Sequence, residues 1–224
     1  MRGTPGAWMS LRRWTRGTAA AALVAAAAWT GGCTAEEGPP PAPEAAPGAA
    51  SGRPAEAGMQ EKSGRETVVL AGGCFWGMEE LLRKIPGVLD TEVGYCGGTS
   101  EGATYEMVKT GRTGHAESVR VTYDPGKLSF EELLHWFFRM HDPTTLDRQG
   151  NDAGSQYRSA IFWTTEEQRA VAERVKAEVD GSGKWKRPIV TEIRKVGPWS
   201  KAEDYHQDYL QKNPDGYTCH FLRD

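Results

Sequence analysis

The chain has 224 residues, of which 25% are charged, and its formal net charge is −3 at pH 7. That length allows one hydrophobic core of ordinary size. The near-neutral balance and the lack of a basic stripe argue against a nucleic-acid-binding protein, and no sequence period of roughly 20–50 residues, typical of solenoids, is present.

Residues 1–32 have the pattern of an export signal. Four arginines and no acidic residue precede the Ala-rich run "TAAAALVAAAAWTGGC", as in a secretory signal peptide. This apolar run is shorter than the ~20 residues that a membrane-spanning helix needs. Translation could start at Met1 or at Met9, since both leave a basic segment ahead of the apolar run.

The end of the predicted signal resembles a bacterial lipobox. Cys33 directly follows two small residues, although Thr30 stands where lipoproteins usually have an apolar residue. We therefore expect an exported protein of the bacterial periplasm or cell envelope, lipid-anchored to the membrane through Cys33. An ordinary secretory signal followed by an unrelated cysteine is the alternative.

Residues 33–65 are rich in Pro, Ala, Gly and Glu and nearly devoid of large apolar side chains. Such a segment cannot bury enough carbon to offset the entropy lost on ordering. The composition predicts a disordered linker, partly extended where prolines cluster. It would connect the signal to one folded domain over residues 66–224.

Strand and helix patterns follow one another from Glu66 onward. Strands are predicted at "ETVVLAG", "VLDTEVGYC", "HAESVRVTYDP" and "QYRSAIFW", and helices at "CFWGMEELLRKIPG" and, after a capping box of Ser129 and Glu132, at "ELLHWFFRMH". This β-α-β-β-α-β order predicts an α+β fold, a ferredoxin-like two-layer sandwich with a mixed sheet. A helix capped by Thr165 and Gln168, a fifth strand "IVTEIRKV" and a last helix "KAEDYHQDYLQK" would form a C-terminal extension.

The stretch "GGCFWG" places Cys74 between a strand and a helix. Unpaired N–H groups and the dipole at a helix start stabilise a thiolate, so this position predicts a lowered pKa and a nucleophilic sulfur. Gly72 and Gly73 would permit a tight turn, and Phe75 and Trp76 would form an apolar wall. From these residues alone, a buried cysteine that serves only as a small apolar side chain is equally compatible.

Six sequence blocks resemble those of the peptide methionine sulfoxide reductase A family, in the same order. They are "GGCFWG", "GYCGG", "TYEMV", "TGHAESV", "HDPTTLDRQGNDAGSQYRSAIF" and "HQDYL…NPDGYTC". The resemblance extends from Glu66 to Phe221. It implies an enzyme that reduces the S epimer of methionine sulfoxide in oxidised proteins and peptides, with free methionine sulfoxide as a further candidate substrate, and so a role in protein repair.

The resemblance also implies roles for individual residues. Cys74 would attack the sulfoxide sulfur and Glu117 would supply the proton that the oxygen needs. Tyr105 and Tyr157 would hold that oxygen through their hydroxyls. The strand pattern independently favours a buried Glu117, because this residue alternates onto the apolar face of its strand, where burial raises the pKa of a carboxyl.

Three further residues complete the implied substrate site. Phe75 and Trp76 would hold the S-methyl group of the substrate. Asp152 matches a family aspartate and would orient water or the substrate backbone. A plain turn residue in a loop rich in Gly and Asn remains the alternative for Asp152.

Two further cysteines, Cys219 and Cys96, are candidates for the step that follows oxidation of Cys74. The resemblance implies that Cys74 becomes a sulfenic acid, which Cys219 resolves as a Cys74–Cys219 disulfide, and that a thioredoxin-type dithiol reduces the bridge. Cys96 is expected to be a small buried residue, with a relay thiol as the alternative. Neither a bound cofactor nor a metal is expected, because the Cys and His residues lack close ligand spacing.

Two other functions compete with a monomeric reductase that has oxidised proteins and a thioredoxin-like protein as partners. The first is a different thiol enzyme, but no C-x-x-C motif indicates a disulfide oxidoreductase, and no histidine lies in a hydrolase motif. The second is a lipoprotein that binds methionine without chemistry. A full set of candidate catalytic side chains argues against it.

Overall fold

The computed structural model describes residues 64–224; the predicted signal, Cys33 and the linker up to residue 63 lie outside the described residues. Within this range the strands are Glu66–Gly72 (β1), Val88–Cys96 (β2), Ala116–Tyr123 (β3), Arg148–Gln149 (β4), Asp152–Ala153 (β5), Ser159–Trp163 (β6), Glu192–Lys195 (β7) and Ser200–Lys201 (β8). The α-helices are Phe75–Leu82 (α1), Tyr105–Val108 (α2), Phe130–Met140 (α3), Glu166–Gly181 (α4) and Tyr209–Lys212 (α5). None of these helices has the length and apolar character needed to cross a membrane.

Six strands form one sheet in the order β7-β6-β1-β3-β2-β8. β3 lies between β1 and β2 and is antiparallel to both, so β1-α1-β2 is a split β-α-β unit. β6 completes the four central strands and is antiparallel to β1, whereas β7 joins it in parallel. The predicted α+β fold with a ferredoxin-like core and a mixed sheet is therefore confirmed.

The main core lies between the sheet and one layer of helices. Alternate residues of β3, Val119, Val121 and Tyr123, are fully buried there against α1 and α3. The other sheet face carries a second, smaller cluster that includes Cys96 and Phe162. Because successive side chains of a strand point to opposite faces, each strand contributes both to the main core under the helices and to the smaller cluster on the other face of the sheet.

Two helix starts form as their sequences predict. The hydroxyl of Ser129 accepts a hydrogen bond from the N–H of Glu132, whose carboxylate accepts one from the N–H of Ser129, which makes the predicted capping box at α3. The hydroxyl of Thr165 accepts from the N–H of Gln168 at the start of α4. Each cap satisfies donors that the helix itself leaves unpaired.

The last predicted helix, over residues 201–212, is wrong for its first eight residues. Only Tyr209–Lys212 is helical, and the segment before it begins as β8 and continues through turns. The Gln207 side chain instead pairs with both the N–H and the C=O of Val93. Asp208 takes a left-handed backbone conformation with φ +54°, which interrupts a helix. Polar side chains here therefore secure the edge of β2 instead of forming an amphipathic helix.

Candidate active site

Cys74 lies where β1 ends and α1 begins, as the sequence predicts. It is the residue immediately before the helix and is 6% exposed. Gly73 precedes it with φ +110°, and a side chain on this residue would come within 2.6 Å of Gln149. Glycine is therefore required both by the backbone conformation and by the space.

The prediction that the helix start lowers the pKa of Cys74 is wrong in this structure. Burial and the charge of Glu117 raise the pKa of the thiol far above its ordinary value, and the opposing hydrogen bond from the N–H of Trp76 is weaker. Cys74 is therefore a thiol at neutral pH. The sequence argument counted the helix dipole and omitted desolvation, which dominates for a thiol at this depth.

Glu117 of β3 is the buried acid of the site. It is 3% exposed, and its Oε2 accepts a 3.1 Å hydrogen bond from the N–H of Phe75 in the first turn of α1. Burial raises the pKa of Glu117 to about 8, with a further rise from the charge of Asp152, against the lowering effect of the Phe75 N–H. At neutral pH this carboxyl is mostly protonated and can donate a proton.

A cavity of about 150 Å³ brings the predicted residues together. The side chains that line it are Cys74, Phe75, Trp76, Tyr105, Glu117, Asp152, Tyr157 and Tyr217. Burial, followed by the charge of Glu117, raises the pKa of both Tyr105 and Tyr157. Both phenols therefore keep their protons and can donate hydrogen bonds to an oxygen in the cavity.

The aromatic wall is held by residues that the sequence analysis did not single out. The indole N–H of Trp76 donates to Nδ1 of His206 at 3.1 Å, and the Trp76 ring stacks on Tyr209 at 3.7 Å between centroids. His206 also packs against Phe75 and Tyr105. The block "YHQDYL" carried this signal, but its interpretation as a helix obscured which side chains face the site.

Glu79, a second buried acid and part of α1, holds the segment that contains His206 and Tyr209. Glu79 accepts a hydrogen bond from the N–H of Asp208 at 3.0 Å and from the hydroxyl of Thr91 at 3.3 Å, and it pairs with Arg83 at 2.9 Å. Burial raises its pKa to about 6. Glu79 thereby fixes residue 208, and with it the segment that carries His206, against α1.

Cys219 lies close to Cys74 in the folded domain. Its sulfur lies within hydrogen-bonding reach of the backbone N–H of Cys74, and its thiol donates to Oδ2 of Asp152 at 3.3 Å. The hydroxyl of Tyr217 lies 3.1 Å from each oxygen of Asp152. Asp152 thus contacts both the cavity and the segment that carries Tyr217 and Cys219. Tyr217 also lines the cavity, and the sequence analysis did not single it out.

Two glycines let the C-terminal segment pack closely. A side chain on Gly77 would overlap Thr218 Oγ1 and come within 2.7 Å of His220. A side chain on Gly216 would come within 2.8 Å of the Tyr209 ring. Gly77, the glycine of "CFWG", therefore makes room for the segment that carries Cys219, and Gly216 lets this segment pack closely against Tyr209.

Cys96 lies on the opposite face of the sheet. Its neighbour Tyr95 pairs with Glu117 across β2 and β3 and belongs to the main core, whereas Cys96 pairs with Ala116 and is fully buried in the smaller cluster. Burial raises the pKa of Cys96. This placement favours a small buried apolar residue over a relay thiol.

Two other concave or ligand-like features of residues 64–224 lack this chemistry. A larger depression of about 430 Å³ at the start of β1 is lined by Arg65, Phe130 and Val171 among others, with no cysteine. Glu131, His135 and Glu178 lie close enough together to hold a metal ion. Arg174 already pairs with both of these carboxylates, however, and none of the three residues lines the cavity beside Cys74.

Known proteins match this chain over nearly all of the described residues. The family model described as peptide methionine sulfoxide reductase matches residues 66–223. A peptide methionine sulfoxide reductase MsrA from Mesorhizobium japonicum is 53% identical over 158 residues, which are 70% of this chain and 90% of the relative.

Solved structures are similar as well. The reduced form of Mxr1 from Saccharomyces cerevisiae is 38% identical, with a TM-score of 0.68 over 71% of this chain and 93% of that chain. Mxr1 in complex with Trx2 is 28% identical, with a TM-score of 0.50 over 71% of this chain and 91% of that chain.

Proposed function

The chain belongs to the peptide methionine sulfoxide reductase family and is an enzyme that reduces methionine sulfoxide; on that premise, we propose that its Cys74 attacks the sulfoxide sulfur and is left as a sulfenic acid. The observation that carries this proposal is the 150 Å³ cavity in which a buried thiol, a protonated carboxyl and two tyrosines come together. A binding protein for methionine would have no use for such an acid beside a thiol.

In the first step Glu117 gives up one proton and takes up another. Its proton passes to the sulfoxide oxygen, the Cys74 thiol proton replaces it on the carboxylate, and the oxygen ends on Cys74 as S–OH. The substrate sulfur gains two electrons and leaves as a thioether, while the cysteine sulfur is oxidised by two. A buried acid with a pKa of about 8 suits this role, since it is protonated near neutrality and its conjugate base is strong enough to take up a proton again.

The polar and apolar sides of the cavity support recognition of one sulfoxide geometry. Tyr105 and Tyr157 would donate hydrogen bonds to the oxygen, and Phe75 and Trp76 would pack on the methyl group. Fixing both substituents leaves one orientation for the third, the peptide side. The family resemblance implies that this orientation is that of the S epimer, and we propose this epimer in proteins as the substrate, with free methionine sulfoxide as a further candidate.

Resolution is proposed to form a Cys74–Cys219 disulfide that a thioredoxin-type dithiol reduces. The proposal is supported by the position of the Cys219 sulfur next to the Cys74 N–H. The similar Mxr1 chain is itself recorded in complex with Trx2. The domain would thus return to its dithiol state without a bound cofactor and act as a monomer in protein repair.

We also propose that the enzyme is exported and anchored to the membrane by a lipid on Cys33. The sequence of residues 1–33 supports cleavage before Cys33 and lipidation of its sulfur, with residues 33–65 as the linker to the enzyme. Mass spectrometry of the mature N-terminus from cells tests this: a diacylglyceryl cysteine supports the anchor, and an unmodified N-terminus downstream of Cys33 contradicts it.

The catalytic assignment is tested by a single-turnover reaction without external reductant. A peptide with pure S-sulfoxide should yield a burst of one methionine per enzyme, and the R-sulfoxide should yield none. A burst of equal size from both epimers would contradict the proposed substrate geometry. Trapping with a dimedone-type reagent in the Cys219→Ser variant should place the sulfenic acid on Cys74.

A further inference from the structure

His220, directly after Cys219, is buried and has no role in the chemistry above. It is 7% exposed, and its Nε2 lies 2.8 Å from the backbone oxygen of Gly72. The same ring packs against two glycines that flank Cys74, since a side chain on Gly73 would come within 3.1 Å of Nε2 and one on Gly77 within 2.7 Å of Nδ1. The imidazole thus fits a space between the end of β1 and the first turn of α1.

The hydrogen bond to Gly72 fixes which ring nitrogen carries the proton. A backbone oxygen only accepts, so Nε2 of His220 must be the N–H that donates. Burial lowers the pKa of His220 to about 4, and the ring is therefore neutral at pH 7. A neutral imidazole with a proton on Nε2 has a lone pair on Nδ1.

That lone pair faces the second thiol of the reaction. Nδ1 of His220 lies 3.5 Å from Sγ of Cys219, within hydrogen-bonding range for sulfur. We propose that His220 is the general base that takes the Cys219 thiol proton when Cys219 attacks the oxidised Cys74. The proposal rests on the proposed function, in which Cys219 is the resolving thiol.

Cys219 needs a base because it is not ionised at rest. Burial and the hydrogen bond to Asp152 raise the pKa of Cys219 to about 11, so that roughly one thiol in 10⁴ is ionised at pH 7. Disulfide formation requires the thiolate as nucleophile. A base in contact with the sulfur removes the proton as the S–S bond forms, which avoids a free thiolate.

In the resolving step His220 accepts one proton and Glu117 donates one. The Cys219 S–H turns from Oδ2 of Asp152, to which it donates at rest, toward Nδ1 of His220. Cys219 then transfers its proton to Nδ1 and its electron pair to Cys74; the Cys74 S–O bond breaks, and the oxygen leaves as water with a proton from Glu117. Cys219 loses the electron that Cys74 gains. Proton transfer through solvent from the imidazolium back to the Glu117 carboxylate restores the initial state.

Asp152 is the rival base, since its Oδ2 lies 3.3 Å from the same sulfur. Two features favour His220. Proton uptake by His220 creates a positive charge beside the sulfur and beside the Asp152 carboxylate, whereas proton uptake by Asp152 would leave only neutral groups beside the developing thiolate. The Asp152 oxygens are also engaged by the Tyr217 hydroxyl.

The test uses His220→Gln, because a glutamine amide can still donate to the Gly72 oxygen but offers no basic nitrogen to Cys219. His220→Asn is the complementary variant, with a weakly basic oxygen near the Nδ1 position. His135→Gln, at an exposed site on α3, is the matched control. Each is mixed with an S-sulfoxide peptide and quenched over time. Methionine, dimedone-trapped Cys74 and the Cys74–Cys219 bridge are then quantified.

We expect the methionine burst of both His220 variants to proceed at the wild-type rate, within about twofold, while the bridge forms at least 10²-fold more slowly and trapped sulfenic acid accumulates. Bridge formation at the wild-type rate in His220→Gln would overturn the proposal. So would equal slowing of both steps, which would indicate that the ring only supports the fold. A normal bridge rate in His220→Gln with a slow one in Asp152→Asn would assign the base to Asp152 instead.

The same experiment separates this proposal from the one beneath it. If the wild-type bridge does not contain Cys219, or if Cys219→Ser cycles with thioredoxin at the wild-type rate, the proposed resolving thiol is wrong whatever His220 does. If Cys219 is required and the His220 variants resolve normally, only the assignment of His220 fails.

Discussion

The backbone N–H of Phe75 donates to the Glu117 carboxyl at 3.1 Å, which fixes the acid of β3 to the first turn of the helix that follows Cys74. The amide of the next residue, Trp76, points at the Cys74 sulfur. The thiol and the acid are therefore placed by successive N–H groups of one helix start. Their relative position depends on backbone geometry more than on flexible side chains.

Replacing Cys74 with Ser should abolish reduction of an S-sulfoxide peptide. A hydroxyl is far less acidic and less nucleophilic than a thiol, and the burial that raises the pKa of Cys74 affects serine equally. The measurement is methionine release in a single turnover. Release above the level of a heat-inactivated sample would disprove that Cys74 is the nucleophile.

Replacing Glu117 with Gln should slow the methionine burst by roughly 10²–10⁴-fold, the usual contribution of a general acid. The amide preserves the shape and accepts the Phe75 hydrogen bond, but it has no acidic proton. Rapid-quench kinetics measure the effect, and circular dichroism controls for the fold. A burst at the wild-type rate would transfer the proton donation to Tyr105 or Tyr157.

The rate of the first step should fall as pH rises through about 8, because the folded-state pKa of Glu117 lies there and only the protonated form donates. Stability should change in the same range. A glutamate titrates near 4.5 when unfolded; since the folded protein holds this proton more tightly, its stability decreases between pH 4.5 and pH 8. The Glu117→Gln variant should lack this loss, so its unfolding midpoint relative to wild type should increase from pH 5 to pH 9. Parallel curves would show that Glu117 is ionised throughout.

Replacing Gly77 with Ala should impair recycling while preserving the first turnover. The new methyl group would collide with Thr218 and His220 and displace the segment that carries Cys219. Steady-state turnover with thioredoxin and the methionine burst are the two measurements. Gly181→Ala is the matched control, since nothing lies within 4 Å of its added carbon. An unchanged steady-state rate in Gly77→Ala would mean that the segment resolves Cys74 from elsewhere.

Replacing Cys96 with Ser should leave recycling close to wild type, whereas Cys219→Ser should release one methionine per enzyme and then stop. The sheet separates Cys96 from the cavity, while Cys219 lies beside Cys74. The variants are compared by turnover with a thioredoxin and by alkylation mapping of the oxidised protein. A mapped Cys74–Cys96 bridge would reverse these roles.

The sequence was most informative where one local pattern determines the structure. Strand alternation predicts the buried face of β3, and the Ser129 capping box predicts the start of α3, because both depend on residues within a few positions of each other. It was least informative where distant segments meet. The Gln207 pairing with β2 replaces a plausible helix, and the ionisation of Cys74 depends on how deeply the whole fold buries it.

A cavity of about 150 Å³ has room for one side chain of methionine's size, so the backbone of a peptide substrate would lie outside it. An oxidised methionine in the core of a folded target is therefore out of reach until that part of the target opens. For such sites the rate of repair is set by the target's own local unfolding equilibrium. The enzyme would then act first on oxidised methionines in frayed termini, loops and misfolded chains. The order in which sites are repaired would therefore follow the local stability of the target proteins.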